Sequence, residues 1–203
     1  MKLYTSPRAP NPRRVTMFIA EKGFPGIEEV TIDIGAGAHR GPAYLAKSPL
    51  AKLPVLELDD GRILCESRAI CTYLEGLMPE PNLMGRDATE RAFIEMTDRQ
   101  VELGLMAGIG NCVRHTHPGL APLEQPQFPE FGHSQGQKMR VVAAWMDRTL
   151  ANQPFLAGER FTIADITAFC ALEFARLMKY RPGDEGLVHL QAYLARLSER
   201  ASA

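Results

Sequence analysis

Apolar and polar positions recur along this chain with two periods, and the change from one to the other divides it. The run KLYT, residues 2–5, reads as a short strand. Asn11 followed by Pro12 supplies a helix N-cap and a proline at the first helical position, which predicts a helix to about Lys22 with Gly23 as its left-handed cap. Val30, Ile32 and Ile34 alternate with polar residues, the pattern of a half-buried strand. After the glycine-rich loop GAGAHRGP a short helix is expected around residues 43–46. PVLELDDGRILCES then reads as a β-hairpin, with Asp60-Gly61 suited to a type I′ turn. In ESRAICTYLEGL, Ile70, Tyr73, Leu74 and Leu77 share one helical face.

The first part is therefore β-α-β-α-β-β-α, a mixed α/β layer. MPEPNLMGRDA, with Pro79, Pro81 and Gly85, marks a linker, giving domains at 1–78 and 88–203 joined by 79–87. Beyond it every periodic segment is helical. Val101, Leu105, Ile109 and Val113 step by four, as do Val142, Met146 and Leu150. HPGLAPLEQPQFPEFG holds four prolines and reads as an irregular loop. In FTIADITAFCALEFA, Thr162 and Asp165 form a variant capping box opening a helix that is apolar almost all round. Leu187, Leu190, Leu194 and Leu197 line one face of the last helix.

Composition narrows the function classes. Lys and Arg number 23 against 24 Asp and Glu, for a net charge of −1, which argues against a nucleic-acid partner. No run approaches the ~18 apolar residues of a membrane span, and MKLYTSP is no apolar leader, so a cytoplasmic protein off the membrane is expected. Cys65, Cys71, Cys112 and Cys170 have neither a metal-binding nor a redox spacing; buried free thiols are expected, and no metal.

Three motifs now combine with this element order: Leu53-Pro54-Val55 before the hairpin, Glu66-Ser67 at the start of the third helix, and FTIADI in the helical half. Together they resemble the glutathione transferase superfamily over essentially the whole chain. Gly37-Ala38-His39-Arg40-Gly41-Pro42 and His117-Pro118-Gly119 are similar to its bacterial and fungal branch. The resemblance implies an N-terminal thioredoxin-like domain with a mixed four-stranded sheet, a helical-bundle domain, a two-fold homodimer, and glutathione as co-substrate.

Glutathione carries two carboxylates, one ammonium group and a thiol, and its middle residue calls for main-chain pairing. The resemblance implies a cis Leu53-Pro54 bond that turns the Leu53 main chain toward the tripeptide's cysteine. Ser67 would bond the γ-glutamyl carboxylate at a helix N-terminus, where free N–H groups favour an anion, and Glu66 would accept from the amine. His39 and Lys52 would meet the glycyl carboxylate. Each residue also has a plain structural use: Ser67 as a cap, Glu66 as a complement to the helix dipole, Pro54 as a trans strand opener, His39 and Lys52 as solvated side chains.

In better-known classes a Tyr, Ser or Cys touches the glutathione sulfur, and the corresponding position here is Ala9. Ser6 precedes that position; Asn11, at the helix start, is the better candidate to meet the sulfur. Arg114 and His115 are the candidates from the helical domain for the pocket of a small apolar electrophile. The leading expectation is a transferase joining the glutathione sulfur to such an electrophile. A glutathione-dependent reductase, peroxidase or isomerase, and a non-catalytic binding or regulatory protein, remain open.

Overall fold

β1 (Lys2–Thr5) opens a four-stranded sheet of order β2-β1-β3-β4. β2 (Glu28–Thr31) runs parallel to β1, while β3 (Val55–Glu57) and β4 (Ile63–Cys65) add antiparallel strands. The computed structural model describes residues 1–203, which divide into two compact units at 1–82 and 83–201. The first is the thioredoxin-like layer. α1 (Pro10–Lys22) and α3 (Ser67–Leu77) pack on each other, and α2 (Pro42–Leu45) leads toward β3. Their core joins Leu3, Val15, Phe18, Leu56, Ile70 and Leu74, all without exposure. Burying such side chains contributes about 1.5–3 kcal/mol each.

Four details depart from the sequence pattern. α1 begins at Pro10 with Ala9 as N-cap, so Asn11 lies inside the first turn rather than capping it. Asparagine suits an N-cap and proline the first helical position, which argued for a start at Pro12. Pro12 is buried, however, on the face that continues through Val15 and Phe18, and this burial favours the two-residue extension. In the hairpin Gly61 has φ 84, but Asp60 is not in the positive-φ region that a type I′ turn demands. Leu58 N–H donates to Arg62 O at 2.9 Å, and Gly61 N–H to Leu58 O at 3.0 Å, closing a three-residue loop with glycine in its left-handed position. On α3 the buried stripe is Ser67, Ile70, Cys71 and Leu74, whereas Leu77 is exposed. β2 ends at Thr31, though Ile32 and Ile34 continue beyond it the half-buried alternation begun at Val30.

The second unit is a helical bundle. α4 (Ala88–Gln100), a π-helical stretch (Val101–Met106) and α5 (Ala107–Thr116) form one continuous run. Along it Val101, Leu105, Ile109 and Val113 are all fully buried. α6 (Pro129–Leu150) lies close against this run because glycines face it: a Cβ on Gly108 would stand 2.9 Å from Met139 Cβ, and one on Gly104 only 2.6 Å from Val142 Cγ2. The α6 core positions are Met139, Ala143 and Met146, while Val142 and Leu150 are half-buried. α7 (Ile163–Phe174) is buried at every residue from Ile163 to Leu172. α8 (Val188–Ser198) closes the unit with Leu190, Tyr193 and Leu197 inward; Leu194, expected there, is half-buried.

Asp165 organises this bundle. Its Oδ2 accepts from Thr162 N–H at 2.8 Å and from the Thr162 hydroxyl at 3.1 Å. Oδ1 accepts from Leu156 N–H at 3.0 Å and from Tyr193 OH at 2.6 Å. Burial pushes the Asp165 carboxyl up against the opposing pull of these four donors, and pushes the Tyr193 phenol well up, so Tyr193 keeps its proton and donates. No helix in the structure is long and apolar enough to cross a membrane. All four cysteines are free, three of them buried and Cys65 half-buried.

Candidate functional site

The register of the sheet brings two of the sequence candidates, Pro54 and Glu66, together at one end of its strands. Val55 pairs with Tyr4 on one side and Cys65 on the other, so Pro54 stands one step beyond both pairs, opposite Glu66. Glu66 occupies φ 70, ψ 117, a backbone conformation costing roughly 1–3 kcal/mol for a residue with a side chain. The kink turns the chain directly from β4 into α3, putting Ser67 at the first helical position with the first-turn N–H groups. Ser67 is 5% exposed, and its Oγ accepts a 2.9 Å bond from Arg14 Nη1, which reaches across from α1 with no exposure of its own.

The approach to Pro54 is clamped. The Lys52 carbonyl accepts from Tyr44 OH at 2.8 Å and Ser48 Oγ at 3.0 Å, and Lys52 N–H donates back to Ser48 Oγ at 3.0 Å. Burial pushes the Tyr44 phenol up, so it stays a donor. The Lys52 main chain is thereby fixed while the residue is exposed, and the Leu53-Pro54 bond that follows is cis, as the resemblance implies. His39 sits in a 3₁₀ turn (Ala38–Arg40) and is 7% exposed; the picture of a solvated loop histidine is corrected to a buried one.

At the α1 start the prolines leave a particular residue of hydrogen-bonding capacity. Ala9 N–H is satisfied by Ser6 O at 3.1 Å, and Arg13 N–H by Ala9 O at 3.1 Å. Pro10 and Pro12 have no N–H. Asn11, exposed at the second helical position, thus carries the one main-chain donor that this helix end offers, besides its side-chain amide. Ser6 is buried beneath the same turn.

Arg114 and His115 belong to the second unit, at the end of α5, and both hold the loop that follows. Arg114 Nη1 lies 3.3 Å from Glu124 Oε2, and its carbonyl accepts from Gln127 Nε2 at 2.6 Å. His115 Nδ1 accepts from Phe128 N–H at 3.1 Å, and its ring packs against Phe128 and Phe131. A groove of about 570 Å³ on this unit is lined by Cys112, Thr116, His133, Gln137, Arg140 and Met178; neither Arg114 nor His115 lines it.

The family model for the glutathione S-transferase N-terminal domain matches residues 3–82, and that for the C-terminal domain matches residues 115–201. The chain belongs to the glutathione S-transferase family. Glutathione S-transferase 2 of Saccharomyces cerevisiae is 35% identical over 204 aligned residues, spanning 100% of this chain and 87% of that one. A crystal structure of a glutathione S-transferase domain-containing protein from Marinobacter aquaeolei superposes with a TM-score of 0.93 at 41% identity, covering 100% of this chain and 99% of that one. The maleylacetoacetate isomerase of Pseudomonas aeruginosa is 31% identical over 175 residues, 82% of this chain and 77% of that one. Arg14, the buried partner of Ser67, is the residue at this candidate site that sequence reasoning missed. Arg13 and Arg14 are chemically alike, and only the burial of α1 separates them: Val15 and Phe18 mark the inward face, and Arg14 falls beside Val15.

Proposed function

We propose that the protein is an enzyme that binds reduced glutathione on the first unit and joins it, through its sulfur, to a small, mostly apolar electrophile. The observation that carries this reading is the Glu66 backbone: an unfavourable conformation is kept where it delivers Ser67 and the α3 N-terminus to one spot. There the γ-glutamyl carboxylate would receive the Ser67 hydroxyl proton and main-chain N–H groups, and Glu66 the ammonium group. The cysteinyl residue would pair with the Leu53 main chain, the glycyl carboxylate would face Lys52 and His39, and the sulfur would meet Asn11. The free thiols fit a reducing, cytoplasmic setting.

With an aryl chloride the thiol gives up its proton to solvent, a carbon–sulfur bond forms, and chloride leaves with the carbon–chlorine electron pair. Calorimetry should give a glutathione Kd below millimolar, and 1-chloro-2,4-dinitrobenzene should be conjugated. Absence of glutathione binding at millimolar concentration would sink the reading, whereas binding without turnover of any substrate would mark a binding protein. The likeness to an isomerase supports a second reading, reversible addition of the same thiolate to a double bond; maleylacetoacetate should be assayed in parallel.

The family likeness also supports a homodimer. Phe93, Met96 and Leu103 leave an apolar stripe on the α4 run at 59%, 47% and 69% exposure, which a second copy would cover. Sedimentation should give twice the chain mass, and Met96→Asp should shift it toward the monomer; a monomeric wild type excludes the assembly.

A further inference from the structure

The Arg14–Ser67 bond fixes more than a distance. A serine hydroxyl has one proton to give and two lone pairs, whereas a guanidinium has only donors. With Arg14 Nη1 donating to Ser67 Oγ at 2.9 Å, the serine proton cannot point back at its partner. Both residues are buried, and Ser67 begins a helix whose first N–H groups favour an anion. We propose that Arg14 is a positioning residue: it holds the Ser67 oxygen and turns the Ser67 proton outward, making the site selective for ligands with a carboxylate at the γ-glutamyl end. This inference rests on the glutathione reading above. It assigns the preference to the direction of one proton rather than to the charge of Arg14 alone. A side chain that can accept as well as donate would let the Ser67 proton turn inward.

The test compares two ligands, glutathione and 4-aminobutanoyl-cysteinylglycine, the same tripeptide without the α-carboxylate, by calorimetry on wild type, Arg14→Lys, Arg14→Gln and Ser67→Ala. Wild type should prefer glutathione by about 10- to 100-fold, the range of a hydrogen bond to a charged group. Arg14→Lys, still donor only, should keep most of that preference. Arg14→Gln should reduce it to about threefold by weakening glutathione while leaving the truncated ligand within about twofold of wild type. Adding Arg14→Gln to Ser67→Ala should change nothing further, since the two act as one unit. A purely structural role for Arg14 would weaken both ligands together, and that result overturns the proposal, as does an Arg14→Gln variant that keeps the full preference. Failure of wild type to bind glutathione would instead overturn the functional reading itself, and this inference with it.

Discussion

Asp165→Ala should lower the unfolding free energy by about 3 to 5 kcal/mol, read as a fall in the urea midpoint at unchanged slope. Four donors end on this carboxylate: two main-chain N–H groups and two hydroxyls. All lie in a region without solvent, because Asp165, Thr162 and Tyr193 are buried. An unsatisfied buried donor costs about 1–3 kcal/mol, and the losses are not additive because the loop at Leu156 can relax. Against a typical domain stability of about 5–15 kcal/mol the change is enough to leave a sizeable unfolded fraction. Tyr193→Phe removes one of the four bonds and should cost only about 1 kcal/mol. Asp165→Asn should fall between them: its oxygen still serves one pair of donors, but its amide turns N–H groups toward the other pair. A loss below about 1 kcal/mol for Asp165→Ala would mean that apolar packing alone sets the entry of α7.

The same capping motif marks how far the sequence could be read. Thr162 and Asp165 declare themselves by a spacing of three, because helix N-termini leave N–H groups that a side chain three residues on can meet. The third and fourth partners, Leu156 and Tyr193, come from other elements, and no local period encodes them. The hairpin was legible for a similar reason, since Asp60-Gly61 sits between two apolar runs, yet the turn type depended on the φ of Asp60, which composition leaves open. The start of α1 was misplaced by two residues because two prolines, Pro10 and Pro12, both suit a first turn, and only the burial of Pro12 decides between them. Tyr193 was overlooked for Leu194 because an amphipathic tyrosine earns an inward place only if its hydroxyl finds a partner. At the candidate site the residue types were legible, but the φ of Glu66 and the reach of Arg14 from α1 to α3 are properties of the assembled first unit, not of any motif.

Asn11→Pro should raise the pKa of the bound glutathione thiol by about 1–2 units, and Asn11→Ala by less than about half a unit. The pair separates main chain from side chain at the same position. Alanine removes the amide group but keeps the backbone N–H, the one first-turn donor of α1 that neither a proline nor a turn has claimed. Proline removes both, at a helical position where no intrahelical bond depends on the N–H. An N–H bond to an anion contributes about 1.5–3 kcal/mol, and each pKa unit corresponds to 1.36 kcal/mol, which gives the expected shift. Thiolate absorbance of the glutathione complex against pH reads it directly. The sign is fixed: a higher thiol pKa leaves less thiolate below that pKa, so kcat/KM should fall on the acidic side and approach wild type at alkaline pH. The fall should be only a few-fold, because a more basic thiolate is also the better nucleophile, with a slope of about 0.4 to 0.5. If Asn11→Pro leaves the thiol pKa unmoved while glutathione still binds, the sulfur does not sit at the α1 start. Arg114 would be tested next and His115 after it, since the His115 Nδ1 already accepts from Phe128, so that the neutral ring carries its proton on Nε2 and can donate to a sulfur but not take its proton.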